Sequence, residues 1–322
     1  MEQFTNIIIC MDDTERDAPM LAYMVPLIES VHTRNVTLLH VHNPDSDPHS
    51  TSVIPHSDSM WEVPVTPSAD ITERTRDRMI ALAHTYLSSI NGVNWQTIIS
   101  DEPEITEILA QAARLDADLI VIGRHYDDFR FKSSQAVTAR RVTERATCSV
   151  LILPESAPPC ISSIVVPVRN SECSAVALRA AYQIGLAFNA RIEAVNLFRA
   201  ATKGNFEKSK RQSSHMQLVK EMTQKENEAL LKRVELTDTH ITPLCLPSVQ
   251  NDAVTTILSH MAKTQCDLVA IGARGRTGAA GIFLGAVTEE LIQRSPVPVL
   301  AIKTKGECVD ILHALLSLIK RD

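Results

Sequence analysis

Glycine is scarce in this chain, with 10 in 322 residues. Five of them, Gly272, Gly275, Gly278, Gly281 and Gly285, fall within fourteen positions, while the first half keeps only Gly92 and Gly123. Half the supply spent on one loop marks a stretch where the backbone itself has a task. Aromatics are also few, at 4%. No apolar run approaches the roughly 18–20 residues that span a bilayer, which excludes a transmembrane helix. The start, Met1-Glu2-Gln3-Phe4, lacks the basic residues and apolar core of a secretory signal. A cytoplasmic protein is therefore expected. The seven cysteines are scattered, odd in number and without a CxxC pair, so they read as buried reduced thiols rather than disulfides or a zinc site.

Charge of one sign is missing from neither half, but the balance differs. Residues 1–157 hold 12 Lys and Arg against 23 Asp and Glu, net −11; the remainder holds 20 against 15, net +5, which together give the formal −6. An acidic half joined to a mildly basic one argues against a broad nucleic-acid surface and leaves room for a local anion site in the second half.

What the chain does have is an internal repeat. Leu119-Ile-Val-Ile-Gly123 reappears as Leu268-Val-Ala-Ile-Gly272, each after an Asp and a helical stretch, at an offset of 149 residues. At the same offset, Val142–Leu153 matches Leu291–Ile302. Upstream, Ile7–Met11 matches Ile164–Val168, and Val36–His42 matches Ile192–Phe198. The strands are rich in Ile, Val and Leu on both parities, the mark of parallel strands buried on two faces. Amphipathic stretches such as Ala18–Val31 and Ser174–Ala187 alternate with them. The expected fold is α/β: two tandem doubly wound domains, each a five-stranded mostly parallel sheet with about four helices. The expected boundaries are 1–154 and 161–305, with a stiff linker at 155–160 and an extra helix at 306–322. Residues 43–68, with five prolines, read as a loop.

In the second half the strand ending at Ile271 runs into the glycine-rich loop, and a helix begins near Gly285. Doubly wound sheets bind ligands at the carboxyl ends of strands, and a helix N-terminus offers free amides to an anion. Arg274 and Arg276 add charge-assisted donors. No Gly-Lys-Ser/Thr follows, so this is not a Walker loop. The spacing G-x2-G-x9-G at Gly272, Gly275 and Gly285, set after a fourth strand in a repeated α/β unit, resembles the nucleotide-binding signature of the universal stress protein family. The chain is similar to a tandem pair of such domains over nearly its whole length.

That resemblance implies an adenine nucleotide alpha hydrolase-like fold and a cytosolic stress-response role exercised by binding an ATP-type nucleotide or a partner, mainly through the second half. It implies phosphate contacts at Gly272, Arg274, Gly275, Gly285, Ala286 and Val287, and nucleoside contacts at Pro167, Val168, Arg169 and Leu197. In the first half it points to Asp12, Val41 and Gly123. The family's usual dimer, in which last strands meet, implies pairing of the two domains through Val150–Leu153 and Val299–Lys303; a homodimer is also compatible. No metal, nucleic acid or membrane is called for.

The match is divided. In the first half Tyr126 and Ala136 replace two motif glycines, and Asp127 and Asp128 would repel phosphate. In the second, Arg169 stands where the family's aspartate belongs and has no acceptor for adenine or ribose donors. Ala286 replaces the usual hydroxyl residue. Asp12 reads either as a nucleoside contact or as a turn residue before Asp13-Thr14. Arg169 reads either as an anion contact or as the ion-pair partner of Glu172. His40 and His42 share a strand face, but with His49 and His56 they form no fixed metal spacing. No GxSxG motif or triad order supports nucleophilic catalysis. Two alternatives stay open: a weak nucleotide hydrolase, and a nucleotide-free interaction module that takes another anionic small molecule.

Overall fold

The structure is a computed structural model. It describes residues 4–31, 33–42, 51–56, 59–64, 69–124, 134–199, 209–236, 240–248, 252–273 and 284–304. The first half contributes β1 (Asn6–Met11), α1 (Asp17–Ser30), β2 (Asn35–Val41), β3 (Thr51–His56), β4 (Ser59–Pro64), α2 (Ala69–Tyr86), β5 (Asn94–Ser100), α3 (Glu104–Arg114), β6 (Leu119–Arg124), α4 (Ser134–Arg145) and β7 (Ser149–Pro154). The second contributes β8 (Ser163–Pro167), α5 (Glu172–Phe188), β9 (Arg191–Arg199), α6 (Ser209–Val234), β10 (Ile241–Ser248), α7 (Ala253–Thr264), β11 (Leu268–Gly272), α8 (Ala286–Arg294) and β12 (Val299–Ile302). The C-terminal stretch read as a helix, 306–322, lies outside the described residues.

Ten of these strands form one sheet in the order β10-β9-β8-β11-β12-β7-β6-β1-β2-β5. Every neighbouring pair is parallel except β7 with β12, which run antiparallel with Val299 opposite Ile152 and Ala301 opposite Val150. Strand alternation divides the apolar residues between two faces. Ile7, Ile9 and Met11 of β1 join Leu21 and Met24 of α1, Met79 of α2, Leu178 of α5 and Leu230 of α6 in one core. Ile8 points the other way, into a core with Ile108 of α3, Val142 of α4, Ile257 of α7 and Leu291 of α8. Both parities are apolar because helices cover both faces, as the sequence pattern implied.

Residues 43–68 are not wholly a loop. β3 and β4 pair as an antiparallel ribbon, Thr51 opposite Pro64 and His56 opposite Ser59. Two residues separate the strands in the sequence, a length that favours hairpins. A two-stranded ribbon leaves one edge of each strand unpaired, so prolines there need not interrupt the ladder. Counting prolines alone missed this.

Two buried or half-buried cations join strand ends in one half of the chain to a helix end in the other. Arg124, at the end of β6 and 3% exposed, donates to the carbonyl oxygens of Ile292 and Ser295 at the C-terminus of α8. Lys303 Nζ donates to the carbonyls of Glu144 (3.2 Å) and Ala146 (2.7 Å) at the C-terminus of α4. Each satisfies carbonyls that a helix end leaves without partners, and each places positive charge at the negative end of a helix dipole. Arg140 and Glu289 add an ion pair between α4 and α8 at 3.3 Å.

Candidate functional site

The second-half residues singled out in the sequence come from three chain segments. β8 ends at Pro167, and the Val168 amide continues its pairing with Val195 O at 2.8 Å. The chain then turns: the Arg169 amide donates to Ser174 Oγ at 3.0 Å, and Ser171 caps α5 by accepting from the Ser174 amide. Arg169 itself is exposed, and among the described residues its guanidinium has no ion pair. The carboxylate of Glu172, offered by the sequence as its partner, is instead 3.5 Å from Arg179 Nη1. Leu197 sits on β9, half-buried against the second core.

Gly272 closes β11 against the N-terminus of α5. A Cβ there would lie 2.7 Å from the Cys173 carbonyl oxygen and 2.8 Å from Cys173 Cβ. The glycine is therefore required by helix–strand packing, whatever else it does. The Gly285 amide returns to Ala273 O at 2.9 Å, so the ends of the glycine-rich loop are held together. The loop itself, with Arg274 and Gly275, lies outside the described residues. α8 starts directly after Gly285, and among the described residues no side chain caps it. The amides of its first turn, at Ala286 and Val287, therefore have no side-chain acceptor among the described residues. Thr288 Oγ1 is buried and donates to Gly272 O at 3.0 Å, tying the helix start to the strand end. Glu289 and Glu290 are engaged by Arg140 and Arg294.

In the first half Asp12 and Gly123 come together, lining a cavity of about 60 Å³, whereas Val41 is absent from its lining. Among the described residues nothing requires glycine at 123: the nearest atom to a Cβ there would be Met20 Sδ at 4.0 Å. Ala136 lies within α4, not before it, so the helix that corresponds to α8 starts earlier in the repeat. Asp12 is drawn into its own turn. Its Oδ1 accepts from the Thr14 amide at 3.2 Å and from Thr14 Oγ1 at 2.6 Å, and its amide donates to Asp17 Oδ1 at 3.1 Å. Asp13 takes a left-handed conformation (φ 60°) that Asp tolerates, and binds Thr75 Oγ1 and Arg78 Nη1. His40 Nδ1 lies 3.0 Å from Met11 O. Burial lowers the His40 pKa, disfavouring the imidazolium. Burial raises the Cys10 thiol pKa well above its usual range, which disfavours the thiolate.

Sequence reasoning missed Asp17 and Tyr23. Asp17 is buried at the first position of α1, and its pKa is raised to about 7 by burial and by the neighbouring Asp12 carboxylate. The run Asp12-Asp13-Thr14-Glu15-Arg16-Asp17 was a signal of crowded carboxylates, but which of them turns inward is a tertiary fact. Among the described residues no group of three metal-ligating side chains occurs. Nor is any helix there long and apolar enough to cross a membrane.

The model of the universal stress protein family matches residues 3–154 and again residues 161–303. The chain belongs to the universal stress protein family. A universal stress protein from Methanocaldococcus jannaschii is 26% identical over 147 residues, 44% of this chain and 81% of that one. A universal stress protein structure from Archaeoglobus fulgidus, 14% identical, covers 95% of this chain and 98% of its own with a TM-score of 0.60, which shows a shared fold. A universal stress protein solved in complex with cAMP is 21% identical, over 44% of this chain and 97% of its own, with a TM-score of 0.34. That ligand is the other protein's.

Proposed function

We propose that this universal stress protein acts in the stress response by binding an ATP-type adenine nucleotide in its second half, with the first half a structural partner. The observation that carries this reading is the uncapped start of α8 at Gly285, set beside the C-terminal end of β11. Free amides at a helix N-terminus suit a phosphate, and the closed base of the loop fixes where the chain leaves and returns. Arg169, exposed at the end of the adjacent β8, supplies positive charge in place of the family's aspartate and suits an anion better than an adenine edge. Pro167, Val168 and Leu197 would then line the nucleoside side, and Arg274, Gly275, Ala286 and Val287 the phosphate side.

In the first half Asp12 Oδ1 accepts from Thr14 and two motif glycines are replaced, which favours the second half as the nucleotide site. The antiparallel meeting of β7 and β12 supports an intramolecular pair of domains in place of a dimer of separate chains. Binding is favoured over hydrolysis because Glu289 and Glu290, the carboxylates nearest the loop in sequence, are committed to Arg140 and Arg294.

Calorimetric titration of ATP into the intact protein, Gly275→Val and Arg169→Ala tests the assignment. A Cβ branch at Gly275 is expected to weaken binding by at least about tenfold, and loss of one charge-assisted contact, worth about 1.5–3 kcal/mol, by about ten- to a hundredfold. Tight binding that ignores both changes would refute the site.

A further inference from the structure

We propose that the outer edge of β5 is a dimerisation surface, on which a second copy of this chain adds its own β5, antiparallel, about a twofold axis at Thr97. The ten-stranded sheet ends at β5 on one side and at β10 on the other. In a parallel ladder, alternate residues turn both backbone groups toward the neighbouring strand, and the residues between them turn theirs away. On β5 the Asn94 amide donates to Arg34 O at 2.7 Å, and Ser100 O accepts from the His42 amide at 2.8 Å. The even-numbered residues therefore face β2, while Trp95, Thr97 and Ile99 turn their N–H and C=O groups outward. Among the described residues no strand or backbone group receives them. On β10 the Ile192 amide donates to His240 O at 3.0 Å, so the odd-numbered residues face outward, and Pro243 and Pro247 are among them. Proline has no N–H to offer an added strand, and it is one of the devices that keep sheet edges from pairing. β5 has no such device. Its residues, Asn94-Trp-Gln-Thr-Ile-Ile-Ser100, include neither a proline nor a charge, and Thr97, Ile98 and Ile99 are β-branched.

The asymmetry between the edges selects the occupant. Inside the chain β7 is already covered by β12, so β5 is the first half's remaining edge, and the second half's remaining edge is β10. A head-to-tail array of copies would join β5 to β10, where two of the outward positions lack a donor. A twofold contact uses β5 alone and closes on itself. With the axis at Thr97, each facing pair of outward residues exchanges two N–H···O bonds. Trp95 then stands opposite the partner's Ile99, an aromatic and β-branched pair of the kind that stabilises facing strands. Trp95 is held in place by His84 of α2, edge to face, with ring centroids 5.0 Å apart. Charge agrees with this direction. Antiparallel addition carries the exposed Asp101 and Glu102 of one copy to the end of β5 where the other presents exposed Arg34, whose carbonyl accepts from Asn94. Parallel addition would set the acids of both copies side by side.

Sedimentation velocity on the full chain, from about 1 to 100 μM, tests the edge. The expected result is a reversible change from single chains of 35.5 kDa to dimers, half complete near about 10 μM. Thr97→Pro removes an outward amide that β2 does not use, and Thr97→Lys sets like charges face to face on the axis. Each is expected to weaken dimerisation by at least about tenfold. Pro243→Lys, the same charge on the opposite edge, is expected to leave it unchanged. Hydrogen exchange of the unaltered protein supplies a second measurement: the amides of Trp95, Thr97 and Ile99 are expected to exchange more slowly as concentration rises. Single chains at every concentration, a mass beyond two chains, a dimer indifferent to both Thr97 changes, or β5 exchange independent of concentration would each overturn the proposal. Should a Thr97 variant fail to fold by circular dichroism, the other variant and the exchange measurement decide the question.

Discussion

Gly123 and Gly272 occupy equivalent places in the repeat, at the ends of β6 and β11, yet a methyl group added at each meets different surroundings. At Gly272 the new Cβ would stand 2.7 Å from the Cys173 carbonyl oxygen, 2.8 Å from its Cβ and 2.9 Å from its carbonyl carbon. Real Cβ atoms essentially never approach below 3.0 Å, and two of these obstacles are backbone. The first turn of α5 must retreat by several tenths of an ångström from a sheet with which it shares Ala175 and Leu178 in the core. Overpacking of this kind destabilises by about 1–3 kcal/mol. At Gly123 the closest atom among the described residues is the end of the flexible Met20 side chain at 4.0 Å, ordinary contact. There Gly→Ala is expected to be neutral or to stabilise by up to about 1 kcal/mol through the unfolded chain. Urea unfolding of Gly272→Ala and Gly123→Ala, followed by both far-ultraviolet circular dichroism and Trp fluorescence, measures the contrast. Equal stability of the two variants would show that α5 does not press on β11, and would restore a purely ligand-based reason for the second-half glycine.

Other expectations follow from the same contacts. Arg124→Met keeps most of the stem but removes two donors from the end of α8, so unfolding free energy should fall by about 2–4 kcal/mol, measured by urea titration. Thr288→Val, which deletes the buried bond to Gly272 O, should lower it by about 1 kcal/mol. The folded pKa of Asp17, about 7, lies above its unfolded value near 3.9, so the folded state binds the extra proton between them. Stability should therefore decline as pH rises from about 4 through 7, by less than about 4 kcal/mol, and Asp17→Asn should flatten that slope in thermal melts. Among the cysteines, exposed Cys160 should react with iodoacetamide in the native protein, while buried Cys148 and Cys266 and the high-pKa Cys10 stay protected until unfolding, as mass spectrometry would record.

The duplicated α/β unit was legible because period and composition are local properties. The strand Ile7–Met11 is apolar on both parities, which only a sheet covered on two faces explains, and Leu119–Gly123 recurs 149 residues on as Leu268–Gly272. The hairpin at 51–64 was not legible, since prolines mask a ribbon whose unpaired edges tolerate them. Within the site, the motif spacing picked out Gly272 and Gly285, but their surroundings differ. Gly272 is pressed by Cys173, and Gly285 stands before an uncapped helix. Asp12 was open to two readings, and one of its carboxylate oxygens accepts from Thr14 within the turn.

The sequence by itself determined the repeated unit, the class of fold and the unequal division of glycines between its copies, because each depends on residues close in the chain. Only the tertiary structure decided that Arg124 spans from β6 to the carbonyls of α8, that Glu172 is engaged by Arg179 and not Arg169, and that Asp17 and Tyr23 leave buried polar atoms without partners. Those outcomes depend on which distant groups share a low-dielectric space, and contact between residues as far apart as 124 and 292 leaves no trace in local pattern.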